Sequence, residues 1–151
     1  MNFFQQQQQR QQQRMEDVIG YRFQSNIYVI EALTLNVQGG NYRLAVLGDC
    51  KMDSAMIDDW YTGGALRKDW SQLRESLLSN TNLAKVAFET GLASCAIPEG
   101  YHCSDNQAAT LVEAVIGAVY IDSGCDMECV KSVMNTLGIR KVVILFSLRP
   151  D

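Results

Sequence analysis

Apolar residues recur at three- and four-residue spacing along most of this chain, the mark of helices that each bury one face. Ser25 is suited to cap a helix whose apolar positions are Ile27, Val29, Ile30, Ala32 and Leu33. Leu44, Leu47, Met52, Met56 and Trp60 predict a long helix from Asn41 to about Tyr61, bracketed by Gly39-Gly40 and Gly63-Gly64. Residues 65–78 carry Trp70, Leu73 and Leu77 on one stripe and Arg67, Lys68, Arg74 and Glu75 on another. After Ser79-Asn80-Thr81-Asn82 a helix resumes at Leu83 and closes at Gly91. Residues 94–105, which include Pro98, read as irregular. A strongly apolar helix follows from Asn106 to about Ile121, stopped by Ser123-Gly124, and an amphipathic one from Cys125 to Leu137, stopped by Gly138. Near the start, Glu16-Asp17 predict a short helix that ends at Gly20, with its acids at the favourable N-terminal end. The β-branched run KVVILFSL at 141–148 suits either a strand or a docked segment. No strand ladder is legible elsewhere, so the expected class is all-α.

Composition refines this picture at the ends. Residues 1–14, MNFFQQQQQRQQQR, are low in complexity and lack an apolar stripe, so they read as a disordered glutamine-rich tail. That leaves a domain at 15–138 and an apolar C-terminal tail at 139–151. A chain of 151 residues with 47% hydrophobic and 20% charged positions can bury one real core. No long uncharged apolar run is present, which excludes a membrane-spanning helix. Residues 15–151 hold eleven Lys and Arg against seventeen Asp and Glu, a net charge of −6. A body this acidic does not bind nucleic acid through a general positive field, so any RNA function needs a local site. The five cysteines, Cys50, Cys95, Cys103, Cys125 and Cys129, form no CxxC pair and read as free thiols in a reducing compartment. His102 with Cys95 and Cys103 lacks the paired spacing of a zinc site. The reading favours cytoplasm or nucleus; the acid-free, arginine-bearing start keeps the mitochondrion as a lesser alternative.

Four segments stand in a telling order: EALT at 31–34, RLAVLGD at 43–49, LLSNTNLA at 77–84 and ATLVEAVIGAVYIDSG at 109–124. Together they resemble the ribonuclease III domain, whose corresponding segments read EALTH, ERLEFLGD, LVSNxxLA and ADTVEALIGAVYLDSG. The resemblance spans about residues 16–137. It also looks like a divergent single-domain, fungal-type group whose signature reads RLAV. It implies the family's helical fold, a homodimer whose two subunits form a valley for double-stranded RNA, and hydrolysis by two magnesium ions. Two ions serve that reaction by activating water and by taking up charge on the leaving oxygen. Magnesium favours oxygen ligands in octahedral array.

The family supplies four carboxylates, two on the signature helix and two on the late helix. By the resemblance, Asp49 and Glu113 are the catalytic and metal-binding acids that remain. The other two ligand positions are Ala45, four residues before Asp49, and Thr110, three before Glu113. The signature's first Glu is Tyr42, the His of EALTH is Leu35, and the aromatic that packs on the partner subunit is Val46. Asp53 and Asp105 are weighed as substitute ligands. A structural role suits Asp53 better, and capping of Gln107 or Ala108 suits Asp105 better. Arg67, Lys68, Arg74 and Lys85 are candidates for phosphate contact, with a solvated helix face as the plainer reading. Twenty-seven residues follow Gly124, too few for a separate double-stranded-RNA-binding domain. The expected function is a ribonuclease III-like protein associated with structured RNA, impaired in catalysis and with weakened magnesium binding. The alternatives are an active magnesium-dependent endoribonuclease, a mitochondrial ribosomal component, or a regulatory subunit that pairs with an intact ribonuclease III.

Overall fold

The structure, a computed structural model, describes residues 1–35 and 38–140. The segment at 141–148 lies outside the described residues. Among the described residues seven α-helices are named in chain order: α1 (Phe3–Ile19), α2 (Asn26–Leu33), α3 (Tyr42–Thr62), α4 (Arg67–Leu78), α5 (Asn80–Thr90), α6 (Asp105–Asp122) and α7 (Met127–Thr136). A single 3-10 turn, Leu92–Cys95, follows α5. Among the described residues the only extended pairing is an isolated bridge between Thr34 and Ile97. The all-α expectation therefore holds.

Helix α6 is the centre of the bundle. Its residues Leu111, Val112, Val115, Ile116 and Val119 are fully buried, as are Ala108, Ala109, Ala114 and Ala118 between them. A helix that is apolar nearly all round has to be covered on every side, and α2, α3, α5 and α7 all pack on it. Packing here overrides the modest helix propensity of its β-branched residues. Its start is fixed by Ser104, which accepts from Gln107 N while the Gln107 side chain accepts from Ser104 N. The cap is thus Ser104, and Asp105, expected in that role, is instead the first helical residue. A serine followed three residues later by glutamine satisfies two backbone N–H groups reciprocally, which one aspartate does not.

The amino-terminal segment differs most from expectation. Residues 3–14 are not a disordered tail; they form most of α1, which runs without a break into Met15 and Ile19. Glu16 and Asp17 accordingly stand in its last turn rather than opening a helix. Glutamine is a good helix former, and Asn2 with Gln5 makes a capping box. Gln11 is fully buried, and its Nε2 donates to Ser94 O at 2.9 Å and Ala96 O at 2.8 Å. Arg14 donates to Ser94 Oγ, and Arg10 pairs with Glu99 at 2.8 Å. The irregular segment after α5 exposes carbonyls that need donors, and the glutamine helix supplies them.

Candidate active site and family

Helices α3 and α6 cross so closely that their backbones touch. A Cβ placed on Gly48 would lie 1.7 Å from Glu113 O, and one on Gly117 would lie 2.2 Å from Leu44 O. No side chain fits at either point. Glycine within a helix costs about 0.5–1 kcal/mol relative to alanine; here it is what permits the crossing. The same crossing positions the chemistry. Asp49 follows Gly48, and Glu113 precedes Gly117 by one turn, so the two carboxylates meet beside the contact.

Asp49 and Glu113 are hydrogen-bonded to each other. The Glu113 carboxyl is pushed up to about 7, first by burial, then by the negative charge of Asp49 and by their hydrogen bond; Arg74 opposes the shift. Arg74, projecting from α4, donates through Nε and one Nη to the two carboxylate oxygens of Asp53 at 2.8 and 3.1 Å. Its Nη2 lies 3.9 Å from Asp49 Oδ2. Asp53, one turn beyond Asp49, is thus held by a bidentate arginine. Pairing with Asp53 raises the Arg74 pKa further.

The two other positions that the resemblance gives for ligands carry no charge. Ala45 is buried. Thr110 turns its hydroxyl back onto its own helix, donating to Asn106 O at 2.9 Å. Among the described residues no three His, Cys, Asp or Glu side chains gather as a metal-holding group. Two carboxyl groups, backed by a methyl and a self-bonded hydroxyl, are too few charged oxygen donors for a two-ion centre. The sulfur candidates fare no better. The Cys95 thiol donates to Gly91 O and is pushed up to about 11 by burial, Cys103 is also raised by burial, and His102 is exposed. Among the described residues these side chains do not gather as a metal-holding group.

The four candidate phosphate contacts do not form one group. Arg74 belongs to the carboxylate site. Lys85 on α5 stands 4.0 Å from Glu89 in an exposed pair one turn apart. Arg67 and Lys68 open α4, exposed, with no ion pair among the described residues. The arginine clamp on Asp53 was not foreseen. The available signal was the Asp49–Asp53 spacing, which puts both acids on one face and calls for a cation opposite.

Known proteins match this arrangement. The family model for the ribonuclease III domain matches residues 42–124, from the start of α3 to the turn after α6. A Ribonuclease 3 from Colwellia psychrerythraea is 29% identical over 142 residues, covering 87% of this chain and 53% of the relative. One from Vibrio atlanticus is 34% identical over 131 residues, covering 80% of this chain and 57% of the relative. The chain therefore spans a little over half the length of these relatives. The solved nuclease domain of ribonuclease III from Campylobacter jejuni superposes with a TM-score of 0.65 at 21% identity, covering 89% of this chain and 96% of that one. That nuclease domain shows structural flexibility in a region involved in dimer formation. The shared fold and the family match over the helices that build the site agree: this chain belongs to the ribonuclease III domain family.

Proposed function

We propose that this chain is a ribonuclease III-fold protein that binds double-stranded or structured RNA and has lost most or all of the two-metal cleavage. The observation that carries this reading is the donor set: Asp49 and Glu113 converge at the α3–α6 crossing, while Ala45 and Thr110 stand at the other two ligand positions. A unit charge about 4 Å from another is worth about 4 kcal/mol at the effective dielectric of a protein surface. Two missing acids therefore remove several kcal/mol of cation binding or transition-state stabilisation. At about 1.4 kcal/mol per tenfold, that is a loss of at least roughly a thousandfold.

Assembly as a homodimer accords with the outer face of α3. Val46, Ile57 and Tyr61 fall on one stripe of that helix and are exposed, Val46 at 69% and Tyr61 at 79%. A row of exposed apolar groups on one helix is suited to a protein partner. Arg67 and Lys68 are the cations left for phosphate contact. The retained Asp49–Glu113 pair favours one second reading, a slow nuclease that keeps a single ion.

The test is incubation of the purified protein with long duplex RNA and magnesium or manganese, with RNA binding measured in parallel. Binding without discrete cleavage products is the expected result. Cleavage that Asp49→Asn abolishes would establish the nuclease instead. Co-purification with an intact ribonuclease III in a one-to-one complex would move the reading to a regulatory subunit.

A further inference from the structure

We propose that a small neutral pocket beside the carboxylate pair binds one unpaired nucleobase of the RNA; this rests on the RNA-binding reading above. The pocket has a volume of about 150 Å³ and lies between the start of α3 and the start of α6. Leu35, Asn41, Tyr42, Asn106, Gln107 and Thr110 line it, with backbone from Gly40. None of these side chains carries a charge. Thr110 is one turn from Glu113, so the pocket opens within a helical turn of the carboxylate site.

Size and chemistry narrow the occupant. A space of this size suits a single planar ring system. Drug-sized ligands need about 300 Å³ or more. The absence of charge disfavours phosphate and metal ions alike. Tyr42 is 66% exposed at the edge of the pocket, so one side of its ring is open for stacking. The polar wall is set in place beforehand. Gln107 is fixed through Ser104 N at 2.9 Å and Tyr101 OH at 2.8 Å. Asn41 is buried and donates from Nδ2 to Ala32 O at 2.9 Å. The Thr110 hydroxyl spends its proton on Asn106 O, which leaves its lone pairs as acceptors. The exposed Asn106 side chain offers both amide donor and acceptor to a base edge. An apolar contact from Leu35, an aromatic edge and mixed donors and acceptors together form the chemistry that recognises an uncharged heteroaromatic ring splayed out of a helix.

Two probes test this separately from duplex binding. In the first, adenosine and adenosine 5′-monophosphate are titrated at millimolar concentration and followed by NMR. Shifts confined to Tyr42, Asn106 and Thr110, similar for the two probes, are expected. No shift at these residues, or shifts for the monophosphate alone, would overturn the inference. In the second, a blunt RNA duplex is compared with the same duplex carrying one bulged nucleotide. The bulged form is expected to bind about tenfold more tightly, as one stacked base provides, and Tyr42→Ala is expected to erase that preference while blunt-duplex binding persists. Equal binding of both duplexes by the native protein would sink the pocket and leave the RNA-binding reading standing. Failure to bind either duplex, with nucleoside shifts present, would sink RNA binding and retain the pocket.

Discussion

Replacing Glu113 by glutamine should make the folded protein more stable at neutral and alkaline pH and indifferent to pH where the native protein is not. The Glu113 carboxyl sits at about 7 when folded, against an ordinary value of 4.5. Its folded pKa is raised, so the folded state holds a proton that the unfolded chain releases between those values. Stability contributed by this residue is therefore intact below about pH 4.5, declines as pH rises to about 7, and is gone above it. At 1.36 kcal/mol per pKa unit the ceiling is roughly 3 kcal/mol. Glu113 keeps partial contact with solvent, and screening reduces this to about 1–2 kcal/mol. Glutamine keeps the shape and a hydrogen-bond donor toward Asp49 but carries no charge to desolvate. The assay is urea unfolding followed by the fluorescence of Trp60 and Trp70, for native protein and Glu113→Gln, at intervals from pH 5.5 to 8.5. The variant's advantage should grow with pH and level off above 7 at about 1–2 kcal/mol, or roughly 2–8 °C in Tm for a domain of this size. An advantage independent of pH, or one that grows toward acid, would refute the placement of Glu113 against Asp49.

Other outcomes follow from the same packing and charge geometry. Gly48→Ala and Gly117→Ala should each cost at least 3 kcal/mol (an order-of-magnitude figure for forced overpacking) or prevent folding, because the added methyl meets backbone carbonyl, whereas Ser54→Ala on the exposed side of α3 should stay within about 0.5 kcal/mol; chemical denaturation compares them. Gln11→Ala should cost about 1–3 kcal/mol by leaving Ser94 O and Ala96 O without their donor, and hydrogen exchange should show amides of residues 6–14 protected in the native protein and exchanging faster in the variant. Arg74→Met should raise the Glu113 pKa above 7, since the guanidinium opposes the shift, and carboxyl NMR titration reads that directly.

The helical frame was legible because its punctuation is chemical. Glycine pairs stop α3 on both sides, Gly91 and Gly138 end helices where the chain needs positive φ, and the unbroken apolar run of α6 announces a central helix. The meeting of Asp49 and Glu113 was implied by the family resemblance, and its cause, a glycine on each helix at the crossing, is visible only when the two are placed together. Residues 1–14 misled because periodicity of apolar groups was the criterion, and this helix docks through hydrogen bonds. Its signals were Asn2 followed by Gln5, and a residue type that favours helix; neither reveals that Gln11 finds two bare carbonyls some eighty residues away. Arg74 shared a charged stripe with Arg67 and Lys68, but a stripe does not say which of its members turns inward. That was decided by Asp53 on the neighbouring helix.

The central claim is that the fold and the site geometry persist while the ligands for cleavage do not. Single-turnover cleavage of a long RNA duplex in magnesium, comparing native protein with the Ala45→Glu/Thr110→Asp double variant, tests it most directly. A native rate near background and a gain of about a thousandfold or more in the variant are expected. A native protein that already cleaves at the variant's rate, and loses that activity on Asp49→Asn, would contradict it.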